Sequence, residues 1–165
     1  MSVPGERRKP PPKRERPRDE LGRPLPWGSE NRLQMEDFDA LPVAENHRLG
    51  IEHFNARRFF PAHEAWETAW KQSRGTPDEE FYKGLSQLGA GYVHFSRGNL
   101  HGTHTLIRRA TSRLRRYAPV HGRIDLAALV EQVEEQAATV ERSAASGEGM
   151  PPLDPPRIAA GTIDP

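Results

Sequence analysis

From about residue 43 to about residue 144 the apolar residues recur every three or four positions, and no stretch alternates with period two for long enough to propose a sheet. That regularity restricts the chain to helices packed on helices. Proline and glycine cut the region into five pieces. Helix one should start after Pro42 and run to about Ala56, with His47, Ile51 and Phe54 at helical spacing. Pro61 suits the first turn of a second helix that ends near Gln72. Thr76 is the expected N-cap of a third, with Pro77 at its first position and Asp78, Glu79 and Glu80 favouring the positive helix end; Gly98-Asn99 should close it after Arg97. A fourth helix covers about Leu100 to Tyr117, stopping before Pro119. The fifth covers about Asp125 to Ala144, with Leu126, Leu129, Val130, Val133, Ala137 and Val140 as its apolar stripe.

The expected fold is therefore all-α: a single bundle of about five helices over residues 33–145. Helix four carries Arg108, Arg109, Arg113, Arg115 and Arg116, and helix five carries Glu131, Glu134, Glu135 and Glu141, so the two should pack as neighbours. The two ends read differently. Residues 1–32 alternate proline with arginine and lysine, which forbids a helix and supplies no core, so a disordered basic tail is expected. Such a tail either solubilises the domain or contacts nucleic acid and other anionic surfaces without sequence preference; Glu6, Glu15, Asp19 and Glu20 dilute its charge. Residues 146–165, rich in glycine and proline, are expected to form a flexible tail as well.

A hydrophobic fraction of 35% over 165 residues allows one domain with a sizeable core and leaves part of the chain outside it. The formal net charge of +1 gives no argument for nucleic acid or membrane as a partner of the whole chain. Without cysteine there are no disulfides, thiolate metal sites or cysteine nucleophiles. No apolar run reaches the roughly 18–20 residues of a membrane span, and no apolar core follows the N-terminal arginines, so the expected address is the cytoplasm. An exposed face on helix one or five leaves an oligomer open.

Chemistry-bearing residues concentrate in His63-Glu64-Ala65-Trp66-Glu67-Thr68-Ala69-Trp70. On a helix His63, Glu67 and Trp70 share one face, expected to be the buried one, where an imidazole and a carboxylate must be paired, hydrogen-bonded or metal-bound. On helix three Gly84, Gln87, Gly91 and His94 form one stripe. Two glycines inside a helix cost roughly 1 kcal/mol each against alanine, which suggests a close-packed neighbour. Helix two is the expected neighbour, bringing His63 and Glu67 to Gln87, with His94 one or two turns away.

Three roles are open for this cluster. It is a hydrogen-bond network that fixes packing; or a divalent metal site on His63 and Glu67 with a further ligand from His94, His101 or His104; or a metal-free acid–base site in which Glu67 supports His63 as general base and Gln87 orients it. His101 and His104, at the start of helix four, otherwise read as a polar helix start. The Glu-x-x-His pairs of di-iron carboxylate bundles and the His-Glu-x-x-His of zinc proteases are absent, as are a nucleotide fingerprint and a serine nucleophile elbow.

The pattern Phe54-Asn55, then Phe59-Phe60-x-Ala62-His63-Glu64-x-x-Glu67-x-x-Trp70, then Phe81-x-x-Gly84-Leu85-x-Gln87 and Arg97-Gly98-Asn99-x-x-Gly102 resembles the bacterial and archaeal domain of unknown function 309 family, whose signature is His-x-x-x-Glu-x-x-Trp. The resemblance covers about residues 44–117. It implies a small all-helical bundle and no assigned activity, so motif positions alone can be carried over: His63, Glu67 and Trp70, with Gly84 and Gln87. Ser86 and Gly89 stand where the family commonly has bulkier aliphatics. Two functions remain in view: a non-enzymatic binding or structural module, and a metal-dependent or acid–base enzyme centred on His63 and Glu67.

Overall fold

The computed structural model describes residues 16–161. They fall into two units, divided after Leu33. In the smaller, the Asp19 carboxylate accepts from the backbone N–H groups of Leu21 and Arg23 at 2.9 and 2.8 Å and from Arg23 Nε at 2.6 Å, closing a turn in which Arg18 bridges to Pro24. Residues 16–32 of the expected tail thus have local order, because one aspartate supplies the acceptors that a proline-rich segment otherwise lacks. Residues 1–15 of that tail lie outside the described residues.

The larger unit holds five helices: α1 (Val43–Asn55), α2 (Phe59–Gln72), α3 (Glu79–Ser96), α4 (Leu100–Leu114) and α5 (Leu126–Ala145). Each packs chiefly on its sequence neighbours, α3 lying between α2 and α4. Phe54, Trp66, Phe81, Leu85, Leu88, Tyr92, Ile107, Leu114 and Val133 build the core. Asn99 Oδ1 accepts from Gly102 N–H and Asp125 Oδ1 from Ala128 N–H, both at 3.0 Å, so the fourth and fifth helices start on side-chain caps. Gly98, at φ +71°, lets Asn99 N–H return to the His94 carbonyl and end α3. The third helix starts later than expected. Thr76 Oγ donates back to the Ser73 carbonyl, and Asp78 rather than Thr76 precedes the first helical residue. The charged faces of α4 and α5 do meet: Glu141 accepts from Arg108 at 2.9 and 3.2 Å and from His104 at 2.6 Å, and Arg115 pairs with Glu134.

Two features depart from the sequence reading. Between α4 and α5 lies a minimal hairpin, β1 (Val120–His121) and β2 (Ile124–Asp125), closed by Gly122 and Arg123 at φ +54° and +60°. Strands of two residues are too short for alternation to register, and arginine is not the residue expected where φ is positive. The second departure is the C-terminal segment. Asn55 donates to the Ile158 carbonyl at 3.0 Å and accepts from its N–H at 2.7 Å, as a strand neighbour would. Arg57 reaches the Pro156 carbonyl and the Asp154 carboxylate, Gln136 donates to the Asp154 carbonyl, and Ile158 is buried. The expected flexible tail is therefore fastened to the helices as far as Gly161; residues 162–165 lie outside the described residues. No helix among the described residues is long and apolar enough to cross a membrane.

Candidate metal centre on the second helix

The stripe that α2 buries is Ala62, Ala65, Trp66 and Ala69, not the one led by His63. Trp66 occupies the core, its Nε1–H donating to His47 Nδ1 at 3.1 Å. Displaced from that stripe, His63, Glu64 and Glu67 retain side-chain exposures of 24%, 35% and 31% and lie within reach of solvent. This corrects the expectation of a buried His–Glu pair. Four alanine and tryptophan positions at helical spacing outweigh the polar ones in setting the inward direction.

Helix α3 orients the imidazole. His63 Nδ1 lies 2.8 Å from the backbone carbonyl of Ser86 and 3.1 Å from its Oγ. A carbonyl can only accept, so Nδ1 carries the proton and Nε2 is left to point elsewhere. It points at two carboxylates, with Glu67 Oε2 at 3.5 Å and Glu64 Oε1 at 4.0 Å. One atom each from His63, Glu64 and Glu67 lies within 4.8 Å of the others, the single such group of three among the described residues. With the proton on Nδ1 all three atoms are acceptors, an arrangement that a shared cation relieves. Lys71 Nζ approaches the outer side of Glu67 at 3.6 Å.

The close approach of α2 to α3 runs through residues the expected glycine stripe did not include. A Cβ on Gly89 would stand 3.0 Å from the His63 backbone, whereas Gly84 and Gly91 face Leu114 and Ile107 of α4. Ser86 and Gly89, which set this chain apart from the pattern it resembles, are thus the two α3 residues that seat His63.

The other sequence candidates fall elsewhere. Gln87 Oε1 accepts from Arg113 Nη1 at 3.2 Å, and Arg113 also donates to Glu80 at 2.9 Å; Gln87 joins α3 to α4 and does not meet His63 or Glu67 by hydrogen bond. His94 Nδ1 accepts from the Asn99 amide at 3.0 Å and stands outside the three-residue group. Its pKa is lowered by burial, then by the charge of Arg97. His104 is engaged with Glu141. Trp70 is half-buried, with the Lys83 ammonium 5.2 Å and the Arg74 guanidinium 5.9 Å from its ring centroid, while its Nε1–H is buried without a hydrogen-bond partner among the described residues. Sequence reasoning missed Glu64 as a partner of His63, because residues one apart on a helix do not normally face each other. It also missed the Ser86 carbonyl, since a main-chain acceptor leaves no trace in side-chain spacing.

The chain matches no curated protein and no solved structure. Residues 47–106 match the family model described as a domain of unknown function (DUF309), a span from α1 into α4 that takes in His63, Glu67, Trp70 and the α3 residues behind them.

Proposed function

We propose that this domain is a binding module whose α2 face holds a divalent cation through His63 Nε2 and the carboxylates of Glu64 and Glu67. The observation that carries the reading is the Ser86 carbonyl at 2.8 Å from Nδ1, which commits the neutral imidazole to presenting an unprotonated Nε2 to two carboxylates. Metal-bound histidines commonly have their second ring nitrogen fixed by such an acceptor. One imidazole and two carboxylates suit zinc, manganese or ferrous iron. Because all three side chains are partly exposed, a cation there would keep positions for water or a further ligand, and its affinity would fall as protons compete for Nε2. Gln87, the orienting residue of the acid–base alternative, is committed to Arg113, which leaves the metal reading better supported.

Calorimetric titration of the full chain with zinc and with manganese tests this. One equivalent should bind, with loss of binding in His63→Ala and weakening in Glu67→Gln. Unchanged binding in both variants, or none in the wild type, defeats the reading. Manganese broadening of backbone amide signals near residues 63–67 gives an independent readout of position.

A further inference from the structure

A second site lies at the start of α1, apart from the α2 carboxylates. A cavity of about 540 Å³ opens between the first turns of α1, Tyr82 of α3 and the β1–β2 turn. That volume falls within the range of small-molecule sites, roughly 300–1,000 Å³. Pro42, Ala44 and Ile51 give it an apolar wall.

Its polar groups divide into those already satisfied and those that are not. His47 is satisfied at both nitrogens: Nδ1 accepts from Trp66, and Nε2–H donates to the Gly122 carbonyl at 2.7 Å. Arg48 is held by Glu45 and Glu52 at 2.6 and 2.7 Å, so its charge is matched and the three side chains together carry one negative charge. Two groups remain. Tyr82 is 7% exposed; its hydroxyl makes no hydrogen bond among the described residues and reaches solvent at the cavity. The Arg123 guanidinium has no ion-pair or hydrogen-bond partner among them either. Its backbone sits at φ +60°, a conformation that disfavours a side chain and favours glycine. Arg123 is exposed and adds a cation to the cavity lining, which also holds the Tyr82 hydroxyl.

We propose that this cavity binds a small organic monoanion, a carboxylate on a short apolar chain. The carboxylate pairs with Arg123, Tyr82 donates its O–H to a ligand oxygen, and the apolar chain lies against Pro42, Ala44 and Ile51. A bidentate guanidinium–carboxylate contact fixes orientation as well as strength. His47 shapes the floor without changing charge, because both of its ring positions are committed.

The test is an amide chemical-shift titration of the full chain with sodium hexanoate and with 1-hexanol, which share a chain length and differ in charge. Hexanoate should perturb Ala44, Ile51, Gly122 and Arg123 and bind about tenfold more tightly than hexanol, the size of effect one charge-assisted hydrogen bond gives. Arg123→Gly suits the positive φ and so keeps the turn. It should bring the two probes to similar affinity, and Tyr82→Phe should weaken hexanoate alone. Equal binding of acid and alcohol to the wild type, a hexanoate preference that persists in Arg123→Gly, or no perturbation of these amides by either probe overturns the proposal.

Discussion

Gly89 of α3 and His63 of α2 meet main chain to main chain: a Cβ added at Gly89 would lie 3.0 Å from both N and Cα of His63. Backbone atoms cannot rotate away as a side-chain tip can. Gly89→Ala should therefore destabilise the bundle by about 1–3 kcal/mol through overpacking, in spite of the roughly 1 kcal/mol that alanine gains over glycine within a helix. It should also weaken divalent-metal binding, because α2 must move relative to the Ser86 carbonyl. Gly84→Ala meets the Leu114 side chain at 3.0 Å and should cost less. Urea unfolding of the two variants makes the comparison. A Gly89→Ala protein as stable as the wild type would show that α2 shifts without cost.

The contrast between these glycines shows where sequence reading stops. Helical spacing and the Gly98-Asn99 break place the five helices, since apolar stripes and helix breakers are local signals. Glycines on α3 do signal close neighbours, but the identity of each neighbour is a tertiary matter, and Gly84 and Gly91 admit α4 where α2 was expected. Likewise Gln87 finds Arg113 on a helix that approaches from the other side. His63 and Glu67 were legible as a pair, but their partial exposure depends on Trp66 winning the core position one helical step away. The docking of Ile158 was not legible at all, because it rests on the amide of one asparagine far away in sequence.

Lys71 and Ser86 separate the roles around the proposed cation. The Lys71 ammonium lies 3.6 Å from Glu67 Oε1 and competes for that carboxylate. Lys71→Ala should therefore tighten metal binding several-fold, most strongly at low ionic strength where the exposed ammonium is least screened. Ser86→Ala removes the hydroxyl at 3.1 Å and keeps the carbonyl at 2.8 Å, so binding should change little. Calorimetric titration with manganese reads both. Loss of binding in Ser86→Ala would transfer the orienting role from the carbonyl to the hydroxyl.

The C-terminal segment should contribute measurably to stability. Ile158 is 4% exposed, and its truncation to alanine should cost about 2–4 kcal/mol, the usual range for a buried aliphatic. Asn55→Ala removes both amide bonds to the Ile158 main chain and should cost about 1–3 kcal/mol. Both variants should also become sensitive to proteases between residues 146 and 161 while the helices resist. Equal protease resistance in wild type and variants would mean that the segment's attachment does not govern its accessibility.

His47 makes the stability of the bundle depend on pH. Burial is the main cause that lowers its pKa; the Gly122 carbonyl opposes this by favouring the charged ring, while His121 and Arg123 disfavour it and Asp78 favours it. The folded protein thus holds a neutral ring where the unfolded chain would take up a proton at an ordinary imidazole value, about 6.5. Above that value neither state binds the proton and the contribution is complete. As pH falls below it the unfolded state is protonated first, so stability declines until the lowered folded value is passed. The difference between wild type and His47→Gln isolates the contribution of this ring. Glutamine can still donate and accept, but it carries no titrating proton. Urea unfolding from pH 7.5 to 5 should show the wild type losing stability more steeply than His47→Gln. Parallel slopes would mean that the charged ring, which keeps its bond to the Gly122 carbonyl and loses Trp66 as a donor, fits the fold as well as the neutral one.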